Sequence, residues 1–134
     1  MTLKELLRGV NYISANLPLS TPVEHICAHS EECTKGSLFF AMRGQTNDGN
    51  NYVNDALVKG AAVIVSEFPQ PDSVPHIIVE NIRGAIGIMA SNFYGNPHKK
   101  LKIIAVIGTN GKTTTANMIG NILNFSGKKT AIFG

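Results

Sequence analysis

The chain has 134 residues, 43% hydrophobic and 16% charged, which is too apolar and too weakly charged for a disordered segment. A net charge of +3 with no dense Lys/Arg block (the longest cluster is Lys99, Lys100 and Lys102), no Trp and 7% aromatics argues against nucleic acid as a partner. No apolar run approaches the ~18 residues of a membrane helix and the start, MTLKELLRG, lacks a signal peptide's apolar stretch, so the expectation is a cytoplasmic chain with reduced cysteines and no membrane partner.

Thr2 to Glu5 reads as a capping box, in which the Thr2 hydroxyl accepts from the Glu5 amide while Glu5 reaches back. Leu3, Leu6, Leu7 and Val10 then share a helical face, with Gly9 where the helix would end. Val23 to His29 and Ser37 to Met42 read as strands, and the loop Gly44 to Asn51 is built of turn formers. Tyr52 to Gly60 is a short amphipathic helix with a C-terminal glycine. Ala62 to Ser66 is an apolar, β-branched run of the kind found in a strand covered on both faces. Three prolines make Phe68 to Pro75 a loop; His76 to Val79 is a further strand and Ile82 to Tyr94 a helix.

The polar stretch Gly95 to Lys100 holds both helix breakers and is the candidate boundary. Beyond it the pattern restarts: a strand over Lys102 to Ile107, a glycine turn, a helix over Thr113 to Phe125 capped by Gly127, and a new strand from Thr130 to Phe133. A βαβ unit implies a parallel sheet, yet one such unit cannot cover both faces of its strands. The expected organisation is therefore α/β, with a complete domain over residues 1–97 and a truncated one over 98–134. The run Lys102 to Ile107 would offer an open apolar edge, which leaves self-association and the oligomeric state open.

The turn carries the chemistry. Gly108, Thr109, Asn110, Gly111, Lys112, Thr113 and Thr114 follow an apolar run and open a helix. Phosphate binding needs backbone N–H groups converging where a Cβ would intrude, and a helix N-terminus adds unpaired amides and its positive dipole end. Lys112 supplies a mobile cation for the β- and γ-phosphates, and the Thr113 hydroxyl can ligate Mg²⁺. The strict phosphate-loop pattern asks for glycine where this chain has Val106, so the shorter form GxxGK followed by Thr remains. That form arises by chance in about one chain of this length in several hundred, and the strand-turn-helix setting makes chance rarer.

GTNGKTTT after an apolar strand resembles the ATP-binding loop of the Mur ligases, and within them most closely the MurE type, the UDP-N-acetylmuramoyl-L-alanyl-D-glutamate ligases. Gly36 to Ala41 resembles the family's G-D-L-F-V-A. Gly44 to Val53 resembles its G-x-x-x-D-G-x-x-F/Y-I/V, and Gly60 to Val65 its G-A-x-A-I/V-I/V. The resemblance implies an N-terminal domain that holds the uridine diphosphate end of the substrate, followed by the first βαβ unit of a phosphate-loop ATP-binding domain. It implies an ATP- and Mg²⁺-dependent ligase of peptidoglycan synthesis. ATP would phosphorylate the D-glutamyl carboxylate, and a diamino acid, meso-diaminopimelate or L-lysine, would attack the acyl phosphate. Lys112 would be catalytic, stabilising charge on the transferring phosphoryl group. The family's uridine-binding D-S-R is His29-Ser30-Glu31 here, so Ser30 alone carries over; Gln45, Thr46 and Asn47 fill the places that contact the UDP moiety. A MurF-type ligase and a non-catalytic nucleotide-binding module are the alternatives. The fragment alone is expected to be inactive, because further ligands and the amino-acid pocket would lie beyond Gly134.

His25, Cys27, His29 and Cys33 invite a metal test. A strand would place residues 25, 27 and 29 on one face but spread them over about 13 Å, too far for one ion, so a partly buried strand is the preferred reading.

Overall fold

In a computed structural model, residues 1–133 are described, and the chain divides into two compact units, the first spanning Met1–Lys100 and the second starting at Leu101. The first unit opens on helix α1 (Leu3–Leu6), and the capping box forms: the Thr2 hydroxyl accepts from the Glu5 N–H at 3.4 Å while the Glu5 carboxylate accepts from the Thr2 N–H at 2.8 Å. Gly9, at φ +82°, ends this turn in the left-handed region that favours glycine.

Five strands follow in chain order: β1 (Tyr12–Ala15), β2 (His25–Cys27), β3 (Ser37–Phe40), β4 (Ala61–Ser66) and β5 (His76–Val79). They lie side by side as β1-β5-β4-β3-β2, with β1 antiparallel to β5 and the remaining pairs parallel. Helices α2 (Val53–Val58) and α3 (Ile82–Phe93) complete the unit, so the α/β expectation holds here. Strand β2 is shorter than the expected Val23 to His29. The Val23 N–H instead donates to the Met1 carbonyl at 2.7 Å, and a 3-10 turn at Ser30–Glu32 bends the chain away after Cys27.

Alternation along the strands splits the core between two faces. Leu38, Phe40, Val63, Val65, Ile77 and Val79 pack with α1 and α3 through Leu3, Leu6, Ile82 and Met89. Phe39, Ala41 and Ile64 pack on the other face with Val53 and Ala56 of α2. Both faces of the central strands are thus covered, which is why β4 reads as an uninterrupted apolar run. The amide of Asn92 on α3 donates to the carbonyls of Leu6 and Arg8 at 2.9 and 2.8 Å, fixing α3 against the end of α1.

In the second unit, helix α4 (Lys112–Phe125) forms close to its expected span. The strands expected at Lys102 to Ile107 and Thr130 to Phe133 do not: neither joins a sheet among the described residues. Ile103 and Ile107 are 73% and 93% exposed, and an apolar run with no neighbouring strand has no ladder to complete. Thr130 nevertheless folds back on α4, its N–H and hydroxyl donating to the Asn124 side-chain oxygen at 3.2 and 2.9 Å. Among the described residues no helix is long and apolar enough to cross a membrane.

Candidate functional site

Strands β2, β3 and β4 run parallel in register, Cys27 opposite Phe39 and Phe40 opposite Val65, so their carboxyl ends open on one edge of the sheet. In open α/β sheets that edge is where ligands bind. Two sequence-derived stretches emerge there. The chain leaving β2 enters the 3-10 turn, where Ser30 is buried and its neighbours His29 and Glu31 are exposed. The Glu31 carboxylate therefore lies in solvent, not inside the fold.

The chain leaving β3 forms a closed loop. Arg43 and Asp48 pair as an antiparallel bridge, and the Gly44 N–H donates to the Asn47 carbonyl at 2.8 Å. Gln45, Thr46 and Asn47 stand exposed at the tip. Gly49 is required at the neck: its N–H donates to the Met42 carbonyl at 2.9 Å, and a Cβ there would lie 2.6 Å from that oxygen. Asp48 shapes the turn: its Oδ1 accepts from the Asn50 N–H at 2.9 Å and from the Asn50 side-chain amide at 2.7 Å. Those two bonds, the backbone one first, hold its carboxyl below the usual carboxylate range, and Arg43 adds a weaker pull.

The structure brings Ser30 and the tip Gln45, Thr46 and Asn47 to the same sheet edge. It also shows connections with no sequence signal beyond the presence of short polar residues. The Ser66 hydroxyl, fully buried at the end of β4, donates to the Asn50 side-chain oxygen at 2.8 Å.

Gly108 to Thr114 lie in the second unit and are exposed. Gly111 adopts φ +72° immediately before α4, a left-handed conformation that lets the loop turn directly into the helix. The first amides of α4, from Lys112 onward, have no intrahelical acceptor. The Lys112 ammonium folds back over the loop and donates to the Thr109 carbonyl at 3.4 Å. The Lys112 ammonium therefore lies against the loop backbone beside the start of α4, and a helix N-terminus favours anions.

Among the described residues no group of three His, Cys, Asp or Glu side chains could hold a metal ion. Strand β2 stops at Cys27, so His29 leaves the face that an unbroken strand would give it, and His25 is exposed. Cys27 and Cys33 are free thiols, both buried, with sulfurs 2.6 Å apart. Burial, and then the Cys33 hydrogen bond, push the Cys27 thiol up to about 12.

Comparison with known proteins agrees with the motifs. The family model "Mur ligase family, catalytic domain" matches residues 22–94. The chain is 45% identical over 112 residues, 84% of its length, to the UDP-N-acetylmuramoyl-L-alanyl-D-glutamate–2,6-diaminopimelate ligase of Aquifex aeolicus strain VF5, and covers 23% of that protein. Among solved structures, a MurF ligase from Thermotoga maritima in complex with ADP superposes with a TM-score of 0.59 at 28% identity, over 78% of this chain and 24% of that one. A UDP-N-acetylmuramoyl-L-alanyl-D-glutamate–2,6-diaminopimelate ligase superposes with a TM-score of 0.74 over 100% of this chain and 27% of that one; at 21% identity it speaks for the fold alone. The chain spans about a quarter of the length of the relatives it matches. With the family model covering more than half of its residues, the chain belongs to the Mur ligase family.

Proposed function

We propose that this chain is the N-terminal part of an ATP-dependent MurE-type ligase that adds a diamino acid, meso-diaminopimelate, to UDP-N-acetylmuramoyl-L-alanyl-D-glutamate in the cytoplasm. The observation that carries the reading is the turn from Gly108 to Thr114, with left-handed Gly111 and the folded-back Lys112, in a chain 45% identical to a ligase of that name. The amides of Lys112, Thr113 and Thr114 would receive the phosphates. Lys112 would neutralise the charge that develops as the terminal phosphoryl group moves, and the Thr113 hydroxyl would ligate Mg²⁺. ATP, when bound, supplies the phosphoryl group that activates the D-glutamyl carboxylate.

The first unit would hold the uridine diphosphate end of the substrate at the carboxyl edge of its sheet, through Ser30 and the tip Gln45, Thr46 and Asn47. A MurF-type activity is the second reading, favoured by the Thermotoga maritima match. Supplying the full-length enzyme with meso-diaminopimelate, L-lysine or D-alanyl-D-alanine separates the two. The central test is Lys112→Ala in the full-length enzyme, which should abolish ligation and leave binding of the uridine nucleotide intact. Surviving turnover would refute the phosphate-loop assignment.

A further inference from the structure

We infer that Asn50 and Ser66 are positioning residues: a partly buried hydrogen-bond chain, Ser66 to Asn50 to Asp48, anchors the loop tip Gln45–Asn47 to the rigid end of β4 and sets its geometry for the uridine nucleotide. The inference rests on the reading of that loop as the nucleotide site.

Ser66 is the last residue of β4 and has no solvent exposure. Its hydroxyl donates to the Asn50 Oδ1 at 2.8 Å and accepts from the Phe68 N–H at 2.9 Å, so the backbone holds it in place. The Gln70 amide donates to both oxygens, at 3.2 Å to Asn50 and 3.3 Å to Ser66. The other end of the Asn50 carboxamide donates to the Asp48 Oδ1 at 2.7 Å. Asp48 can only accept, so the amide nitrogen must face it and the amide oxygen must face Ser66. Asp48 in turn closes the loop neck through its bridge to Arg43.

One carboxamide therefore links a fully packed strand to the residue that shuts the loop. The exposed tip has no other side-chain tether to the sheet among the described contacts, since its internal bond, Gly44 to Asn47, stays within the loop. Asn50→Asp would keep the shape but set a second carboxylate against Asp48, breaking the chain by repulsion.

The test uses the full-length enzyme, with UDP-N-acetylmuramoyl-L-alanyl-D-glutamate as the probe and two readouts: steady-state kinetics and hydrogen exchange of the 43–49 peptide. Asn50→Asp is expected to raise KM for the uridine substrate about tenfold, the loss of one hydrogen bond to a charged group, with kcat and the KM for ATP within about twofold of wild type. Exchange of the peptide in the free enzyme should speed up by a similar factor. The double variant D48N/N50D restores a carboxylate–carboxamide pair and should bring KM back to within about threefold of wild type, a rescue that a general packing role does not provide. Ser66→Ala should act like Asn50→Asp; if that buried site does not tolerate the change, Asn50→Asp and its rescue decide alone.

If substrate slows exchange of the peptide in wild type but Asn50→Asp leaves KM unchanged, or D48N/N50D gives no rescue, the positioning role is overturned while the site reading stands. If substrate does not slow that peptide in wild type, the loop is not the nucleotide site and both fall.

Discussion

Replacing Asn16 with alanine should destabilise the first unit by about 2–3 kcal/mol, a large effect for one exposed-looking polar residue. Its amide donates to the carbonyls of Asp72 and Val74 at 3.1 and 2.9 Å, and its side-chain oxygen accepts from the His76 N–H at 2.7 Å. After truncation the three groups fare differently. The Asp72 carbonyl is in an exposed segment and returns to water, and the Val74 carbonyl keeps the His76 ring nitrogen at 2.8 Å. The His76 N–H, at the head of the buried strand β5, keeps nothing. An orphaned donor that was partly buried costs about 1–2 kcal/mol, and the two donated bonds add about 1 kcal/mol together once their partial recovery is counted. For a unit of this size that corresponds to a fall in Tm of about 10–20 °C. Urea denaturation of wild type and Asn16→Ala, followed by circular dichroism at 222 nm, measures it directly. A loss under about 0.5 kcal/mol with an unchanged m-value would refute the reasoning, because the His76 amide would then have found another partner.

Two further outcomes follow from the same geometry. Gly60 sits at φ +103°, and a Cβ there would lie 2.8 Å from the Lys35 Cα, whereas Gly95 at φ +74° has nothing within 4 Å. Gly60→Ala should therefore cost about 3 kcal/mol or more and Gly95→Ala about 1 kcal/mol in the same urea titration; equal costs would show that the clash with Lys35 relaxes freely. Burial favours the neutral Cys27 thiol, which keeps its proton in the folded chain to about pH 12 against an ordinary value of 9.0. The associated stability is complete below pH 9 and shrinks as pH rises toward 12, by up to about 1.4 kcal/mol per pH unit. Urea midpoints between pH 8 and 10.5 should accordingly fall more steeply for wild type than for Cys27→Ala, and parallel curves would contradict the shift.

Local rules were legible wherever their cause was local. The Thr2–Glu5 capping box spans four residues, and His76–Val79 is an apolar run bounded by Pro75 and the helix cap Asn81, so both are readable without a partner. The phosphate-loop candidate is of the same kind: left-handed Gly111, the helix start and the Lys112 side chain all depend on neighbours within a few positions. Tyr12–Ala15 escaped notice because its burial is mostly exposed and it becomes a strand only by pairing with β5. Lys102–Ile107 shows the converse, an apolar run with strand character that forms none, since a strand belongs to a pair and not to a segment.

The sequence by itself determined the helices, the strand-like runs of the central sheet, the glycine turn and, through its motifs, the family. The tertiary structure alone decided that the turn after β2 and the loop after β3 share one sheet edge, and that Ser66 meets Asn50 across 16 positions of chain. Hydrogen bonds between short polar side chains leave no periodic trace in a sequence, because any exposed Ser or Asn looks the same until the fold brings its partner within 3 Å.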